Sequence, residues 1–117
     1  MPWVNLVTAR RLSEEHQVEA RRVIAEVLKE SIGREEKAVF VSFASTDGFF
    51  WGAQPVQDAG IFDIRWIGQY DLDKKRWITR ALTERLSGPL GLSPERTRVI
   101  FTEKSSEDWG RNRGDYT

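Results

Sequence analysis

A strand–helix–strand pattern that occurs twice, with the same spacing in each half of the chain, constrains the fold most strongly. Residues 2–7 and 38–44 are short runs rich in β-branched and aromatic residues, as are residues 61–67 and 97–103, and such runs are typical of strands. The second strand starts 36 residues after the first in both halves, at 38 after 2 and at 97 after 61. This equal spacing predicts two duplicated βαβ units in a chain of 117 residues.

Each predicted helix lies between the two strands of its unit and has recognisable end signals. Ser13 is a candidate N-cap followed by two glutamates, and Gly33 stands where a C-terminal cap is expected. Asp71 or Asp73 can cap the second helix, and residues 88–94 are expected to break it because they contain glycines and two prolines. Between these signals, apolar residues recur at the spacing of a helix that faces a core.

The segment boundaries predict a single domain, residues 1–117, of the α+β class. It consists of a βαβ unit at 2–44, a connector at 45–60, a second βαβ unit at 61–103 and a tail at 104–117. Right-handed crossovers would place both helices on one face of a four-stranded sheet. The strands nevertheless carry apolar residues at both parities, and parallel strands normally need cover on both faces. We therefore expect other copies of the chain to cover the second face.

Composition excludes several classes of function. The 18 basic and 18 acidic residues cancel, so no overall field attracts nucleic acid or a membrane surface. The chain has no cysteine and a single histidine, His16, which leaves no side chains for a thiolate or histidine metal centre. No stretch of the sequence resembles a signal peptide or a membrane span. We expect a soluble, cytoplasmic protein that uses neither a metal nor a cofactor.

Two further motifs, added to the duplicated pattern, carry a resemblance to a known family. Pro2 follows directly after Met1, and residues 102–114 have the sequence TEKSSEDWGRNRG. The combination resembles the tautomerase superfamily over essentially the whole chain, and the tail is most similar to the malonate semialdehyde decarboxylase branch. The resemblance implies a homotrimer in which two βαβ units per chain pack into a barrel of sheets. It also implies that the N-terminal prolines lie in pockets near subunit interfaces.

Pro2 is the candidate catalytic group. After removal of Met1 its nitrogen is a secondary amine, whose pKa starts above the value of about 7.7–8.0 for an α-amino group and falls with burial or beside a cation. A base whose pKa lies near the working pH suits general acid–base catalysis. Aromatic residues at 3, 49–51 and 109 could desolvate it. The alternative interpretation is a structural proline that starts an edge strand.

Substrates of such enzymes are small oxo or enol acids, so a carboxylate must be bound, and arginine binds it with a bidentate fork. By the resemblance, Arg11 in the turn after the first strand is the best match. Arg65 is a displaced candidate, because the paired arginines of the decarboxylase and dehalogenase branches fall slightly later, where this chain has GQYDLD. Arg111 and Arg113 follow Trp109 in the tail and are further candidates. For each arginine the alternative is an ordinary surface charge.

Glu36 matches, by its place between the first helix and the second strand, the catalytic aspartate of the decarboxylase branch, with a surface glutamate as the alternative. The leading hypothesis is a cofactor-independent keto–enol tautomerase of small 2-oxo or enol carboxylic acids, with Pro2 as general base and acid. A decarboxylase or hydratase of a small 3-oxo acid such as malonate semialdehyde is the second hypothesis. A non-catalytic trimeric binding protein is the third.

Overall fold

The computed structural model describes residues 1–114, and in that range it contains six strands and two long helices. In chain order the elements are β1 (Trp3–Thr8), α1 (Glu14–Ile32), β2 (Phe40–Ser45), β3 (Phe50–Trp51), β4 (Gln54–Pro55), β5 (Gly60–Ile67), α2 (Leu72–Leu90) and β6 (Thr97–Lys104). Both predicted strand–helix–strand units are present, as β1–α1–β2 and β5–α2–β6. No helix in residues 1–114 combines the length and hydropathy that a membrane span requires.

Four of the strands form one mixed sheet in the order β2–β1–β5–β6. β1 runs parallel to β2 and β5 runs parallel to β6, whereas β1 and β5 are antiparallel at the centre of the sheet. This is the arrangement of two βαβ units placed side by side, and it confirms the predicted duplication. The short strands β3 and β4 form a separate antiparallel hairpin in the connector.

The end signals of the helices act as the sequence predicts. The Ser13 hydroxyl accepts a hydrogen bond from the first turn of α1, and Gly33 ends that helix at φ +70°, a backbone conformation that favours glycine. Of the two candidate caps of the second helix, Asp71 is the one used, because its carboxylate accepts from a backbone N–H in the first turn of α2 at 2.8 Å. Both helices therefore start where side-chain acceptors satisfy their free N–H groups.

The end of α2 falls inside the predicted breaking segment, whereas one predicted strand boundary was wrong. α2 continues through Gly88 and Pro89 and ends at Leu90. Proline keeps a helical φ, and in the last turn its missing N–H removes only one helical hydrogen bond, so a buried leucine can hold the turn in place. β2 starts at Phe40 rather than at 38, because Glu36–Ala38 form a turn of 3₁₀-helix before it.

The two helices cover the same face of the sheet, as predicted, and the hydrophobic core lies between them and the strands. β1 and β5 turn every second residue toward the helices, and these residues are at most 1% exposed: Val4, Leu6, Phe62, Ile64 and Trp66. The helices contribute Ala20, Val23, Ile24, Val27, Leu28, Ile78, Leu82 and Leu86.

The opposite face of the sheet, called the open face below, has no helix over it. Its side chains are half-buried or exposed, and they are Trp3, Asn5, Val7, Phe40, Ser42, Ala44, Ile61, Asp63, Arg65, Ile67, Arg98, Ile100 and Thr102. Phe40 is 54% exposed and Ile100 is 48% exposed. These apolar strand residues are the surface that the expected assembly would cover.

Candidate functional site

The two ends of the sheet carry different residues, and they are named here after Pro2 and Arg11. At the Pro2 end, β1 and β2 begin while β5 and β6 end; at the Arg11 end, β1 leads into residues 9–13 and β2 leads into the β3–β4 hairpin. β1 is six residues long. With a rise of about 3.3 Å per residue, the two ends of one chain lie about 20 Å apart.

Pro2 is buried, with less than 2% of its side chain exposed, and its carbonyl accepts a hydrogen bond from the Phe40 N–H at 2.9 Å. The amino group of Met1 lies beside it. Burial lowers the pKa of this amino group, and the nearby Arg34 guanidinium lowers it further. At the Pro2 end, an amino group therefore loses its proton at a lower pH than it does in water.

Arg34 is a candidate functional residue that the sequence reasoning missed. It follows directly after the C-cap of α1, on the segment that leads into β2, and the pairing of Phe40 with Trp3 brings that segment back to the start of β1. Its position after a helix cap is a signal in the sequence, although the capping glycine alone does not reveal which strand end the arginine reaches.

Three residues form one row across the sheet at the Pro2 end, on the face that the helices cover. Because Trp3 pairs with Arg65 in the antiparallel β1–β5 ladder, the next step of that register sets Pro2 opposite Trp66. Trp66 in turn pairs with Glu103 in the parallel β5–β6 ladder. Trp66 is only 1% exposed, and its strand, β5, lies between the strand that follows the proline and the strand that carries the carboxylate.

The Glu103 carboxylate is held by three donors. One oxygen, Oε2, accepts from Trp66 Nε1 at 3.1 Å and from the backbone N–H of Tyr70 at 2.7 Å, while Oε1 accepts from Lys75 Nζ at 2.8 Å. The Glu103 side chain is 20% exposed. Burial raises the pKa of this carboxyl, but the hydrogen bonds from Lys75, Trp66 and Tyr70 outweigh burial and bring the pKa below its ordinary value. The group therefore stays ionised at neutral pH.

An apolar cavity of about 460 Å³ opens beside the start of β1 and β2. Trp109 lies in this cavity, which brings the tail against Trp3 and Phe40. The Trp3 indole donates to the Ser42 hydroxyl at 2.8 Å, and Ser42 donates to the Asn5 side-chain oxygen at 2.9 Å. Trp109, which the sequence places among the aromatic residues expected to desolvate Pro2 and to contact the substrate, therefore lies beside Trp3, the residue after Pro2, in the same chain.

Arg65 also lies toward the Pro2 end, on the open face. Its guanidinium pairs with Asp63 at 3.2 Å and stands 5.4 Å from the centre of the Trp3 ring. The Arg65 side chain is 44% exposed. A half-exposed arginine beside a tryptophan can still bind an anion, although Asp63 competes for it.

The Arg11 end contains a second cavity of about 440 Å³. Arg10, Arg11 and His16 line it together with Ser13, the N-cap of α1. The positive end of the helix dipole adds to the charge of the two guanidinium groups. This cavity is suited to an anion, but in one chain it lies about 20 Å from Pro2.

The aromatic residues that the sequence grouped around the proline separate in the structure. Trp3 and Trp109 lie at the Pro2 end, whereas residues 49–51 belong to the hairpin region at the Arg11 end. Phe50 is 63% exposed and Trp51 is 43% exposed. The hairpin therefore cannot desolvate Pro2 of its own chain, because the length of the sheet lies between them.

The remaining predicted residues lie on the surface or outside the described part. Glu36 is exposed, and its carboxylate forms an ion pair with Arg21 of α1 at 2.9 Å. Arg111 is exposed in the tail. The side chain of Arg113 lies outside the described residues.

Comparison with known proteins gives matches in fold rather than in sequence. No family model matches the chain, and no curated protein matches it. The crystal structure of Pt0534 inactivated by 2-oxo-3-pentynoate has a TM-score of 0.86 at 17% identity, covering 97% of this chain and 94% of that chain. Leishmania major MIF2 has a TM-score of 0.84 at 16% identity, covering 100% and 97%. A fused 4-OT, described as a wild-type symmetric trimer, has a TM-score of 0.83 at 16% identity, covering 97% and 94%.

The sheet order, the two crossover helices and these similarities show that the chain has the fold of these structures, which is the tautomerase-like fold that the sequence predicts. The predicted fold is thereby confirmed. The closer resemblance of the tail to the malonate semialdehyde decarboxylase branch stays a prediction from the sequence.

Proposed function

We propose that this chain is a cofactor-independent keto–enol tautomerase of small 2-oxo or enol carboxylic acids, in which Pro2, freed by removal of Met1, is the general base and acid. The observation that carries the proposal is the environment of the chain start. Pro2 is buried, and the adjacent amino group has a pKa lowered by burial and by Arg34. Without Met1, the free amine would lie one residue deeper in the same surroundings.

The chemistry follows from the pKa of that amine. A secondary amine in water is mostly protonated at neutral pH, and burial and a neighbouring cation bring its pKa down toward the working pH. The neutral nitrogen takes the proton from the enol hydroxyl as the oxygen becomes a carbonyl. The resulting ammonium then returns the proton to the neighbouring carbon, so no net proton is gained or lost.

The carboxylate of the substrate needs a cationic partner, and the proposal assigns it to Arg11 of a neighbouring copy. Within one chain Arg11 lies about 20 Å from Pro2, too far for both to contact one small acid. A closed ring of three copies would bring the Arg11 end of one chain to the Pro2 end of the next. The same contact would bring the exposed Phe50 and Trp51 to the proline. The trimeric state of the fused 4-OT with the same fold supports this assembly.

Arg65, Arg111 and Arg113 are the other proposed carboxylate ligands. Arg65 is the best placed of the three within one chain, because its guanidinium stacks near Trp3, the residue after Pro2. A substrate carboxylate would have to replace Asp63 as its partner.

A second candidate function is decarboxylation or hydration of a small 3-oxo acid such as malonate semialdehyde. The observation in its favour is Trp109, which lies in the apolar cavity near Pro2 and belongs to the part of the tail that resembles the decarboxylase branch. Its proposed catalytic acid, Glu36, is exposed and ion-paired with Arg21, so it would need to be released before acting. Tautomerisation requires only the amine and one anion site, and it therefore ranks first.

The proposal is tested by labelling with 2-oxo-3-pentynoate, the compound that inactivated Pt0534. Its alkyne is conjugated to a carbonyl, so a neutral amine adds to the alkyne carbon, and a proton balances the addition without loss of any group. We expect one adduct, located on the Pro2 nitrogen by mass spectrometry of the N-terminal peptide. In the matched control, the same chain with one extra residue before Pro2, the Pro2 nitrogen is a peptide amide and should carry no adduct, so any label on the added residue's own amino group is distinguished by its position in the N-terminal peptide.

Turnover then separates the candidate functions. Ketonisation of phenylenolpyruvate without release of carbon dioxide from a 3-oxo acid supports the tautomerase. Carbon dioxide release without comparable ketonisation favours the decarboxylase. A chain that retains Met1 in its natural host would refute both and leave the non-catalytic binding protein.

A further inference from the structure

Glu103 lies at the Pro2 end, but no step of the proposed reaction uses it. Its two carboxylate oxygens accept from Trp66 Nε1, from the Tyr70 backbone N–H and from Lys75 Nζ, at 3.1, 2.7 and 2.8 Å. These donors belong to β5, to the turn after β5 and to α2. One carboxylate therefore ties three separate elements together at this end of the sheet.

The register relates this cluster to the proline. Pro2, Trp66 and Glu103 occupy one row on three neighbouring strands, and strands lie about 4.8 Å apart, so the Cα atoms of Pro2 and Glu103 are about 10 Å apart. Trp66 is the middle residue of that row, and the Tyr70 ring meets its indole edge-on with the ring centres 5.0 Å apart. The residue opposite Pro2 in the sheet is thus held by a hydrogen bond to Glu103.

Position 103 requires a carboxylate because the Trp66 and Tyr70 N–H groups need an acceptor there. Packing of the hydrophobic core does not require it. An apolar residue at 103 would leave the Trp66 and Tyr70 N–H groups without an acceptor at a poorly solvated position. A charged acceptor makes shorter and stronger hydrogen bonds than a neutral one, and Lys75 balances its charge. The arrangement fixes both the indole ring and the turn at residues 68–71.

We propose that Glu103 is a positioning residue of the Pro2 site. It fixes the Trp66 indole and the turn after β5, and it thereby sets the position of the residue that lies opposite Pro2. The proposal rests on the proposed function, in that Pro2 is the reacting group. Glu103 itself does not touch the substrate.

The test compares Glu103→Gln with the unmodified chain in ketonisation of phenylenolpyruvate. We expect kcat to fall about tenfold with KM nearly unchanged. A displaced Trp66 indole would change the alignment of the substrate with the Pro2 nitrogen more than it would change binding of the substrate carboxylate. Trp66→Phe keeps the ring and removes the N–H. If Glu103 acts through Trp66, the double variant should lose no more activity than the worse single variant.

Two controls separate positioning from loss of an ion pair. Glu30→Gln removes a carboxylate that pairs with Arg85 at 3.1 Å on the outer surface of the helices, and it should leave kcat and KM unchanged. Lys75→Met removes the charge partner but leaves the Trp66 and Tyr70 donors in place, so its effect on kcat should be smaller than that of Glu103→Gln. If Glu103→Gln does not fold, Trp66→Phe decides: an unchanged kcat overturns the proposal.

A readout that needs no turnover distinguishes this inference from the proposed function. In protein labelled with nitrogen-15 at Pro2, Glu103→Gln should shift the resonance of the Pro2 nitrogen, and Trp66→Phe, which removes no charge, should shift it in the same direction if Glu103 acts through Trp66. A shift in Glu103→Gln but not in Glu30→Gln would support positioning. If the unmodified chain shows no turnover, the tautomerase is refuted even when that shift is seen. A folded Glu103→Gln with unchanged kcat and an unchanged Pro2 resonance would overturn the inference and leave the tautomerase standing.

Discussion

The two ends of the sheet differ in burial and in charge. At the Pro2 end the proline and Trp66 are almost fully buried, and the carboxylate of that row is satisfied by three donors. At the Arg11 end two arginines and His16 surround an open cavity, and the hairpin exposes its aromatic rings. One end can hold a neutral amine and the other can bind an anion. A single chain therefore offers two half-sites, and the comparison predicts that a working site needs two copies.

The largest effect is expected from replacing the residue that defines the Pro2 end. Pro2→Ala, with Met1 removed, leaves a primary amine that is no longer held by a ring fixed in the strand. We expect turnover of phenylenolpyruvate to fall by about 10²-fold, the usual contribution of a positioned general base. Steady-state kinetics measures the loss, and circular dichroism verifies that the fold is kept. Unchanged turnover would remove Pro2 from the mechanism.

The next effect tests whether the two ends meet between copies. Arg11→Ala should raise KM about tenfold or more, because a charge-assisted carboxylate contact is lost. Mixing the Pro2→Ala and Arg11→Ala chains after denaturation and refolding should restore about one quarter of the wild-type sites, since each site in a closed ring takes one residue from each of two neighbours.

The mixing experiment has a clear contrary outcome. If Pro2 and Arg11 served one site within a single chain, every site in the mixture would carry a defect and no activity would return. Mixing each variant with itself provides the matched control. Recovery only in the heterologous mixture would establish that the anion cavity of one copy serves the proline of another.

Local signals in the sequence were sufficient for the helices and strands but not for the site. Ser13 and Gly33 mark the ends of α1 through interactions within one turn, so they can be read without knowing the tertiary structure. The positions of Arg34 and Glu103 relative to Pro2 depend on which strands become neighbours and in which register. That is decided by contacts between residues far apart in the chain.

The aromatic residues also show that a local pattern in the sequence does not locate a residue in the fold. Composition grouped Trp3 with Phe49, Phe50 and Trp51, but the direction of β2 carries the hairpin away from Pro2. A pattern along the chain does not tell at which end of a sheet a connector lies. Only the pairing of strands settles that, and here it places three of the five expected aromatic residues at the other end.

A third experiment tests the role of the hairpin in assembly. Phe50→Ser with Trp51→Ser should raise the dissociation constant of the proposed trimer at least about tenfold, because buried aromatic residues dominate interface energies. Sedimentation velocity over a dilution series measures this. Val18→Ser, on α1, removes a residue that is likewise exposed, at 60%, and should leave assembly unchanged. Equal effects of both changes would contradict a specific contact of the hairpin.

A smaller effect concerns stability at the Pro2 end. The pKa of Glu103 is lower in the folded chain than its ordinary value of 4.5, so its ionised form stabilises the fold above that pH and the contribution disappears as pH falls through the folded-state pKa. Glu103→Gln should therefore lower the free energy of unfolding by about 1.5–3 kcal/mol at neutral pH. The difference from wild type should shrink in urea denaturation at about pH 3. A difference that stays constant with pH would show that the charge does not contribute.

The smallest effect is expected at Glu36, which belongs to neither half-site in the described chain. Its carboxylate is exposed and paired with Arg21, and surface ion pairs of this kind contribute little to stability. Glu36→Gln should therefore change ketonisation of phenylenolpyruvate by less than about twofold, since a removed surface charge leaves the amine and its surroundings intact. The same variant should abolish carbon dioxide release if Glu36 is the acid of a decarboxylase. Measuring both reactions on one preparation decides between the candidate functions, because only the decarboxylase gives this residue a catalytic role.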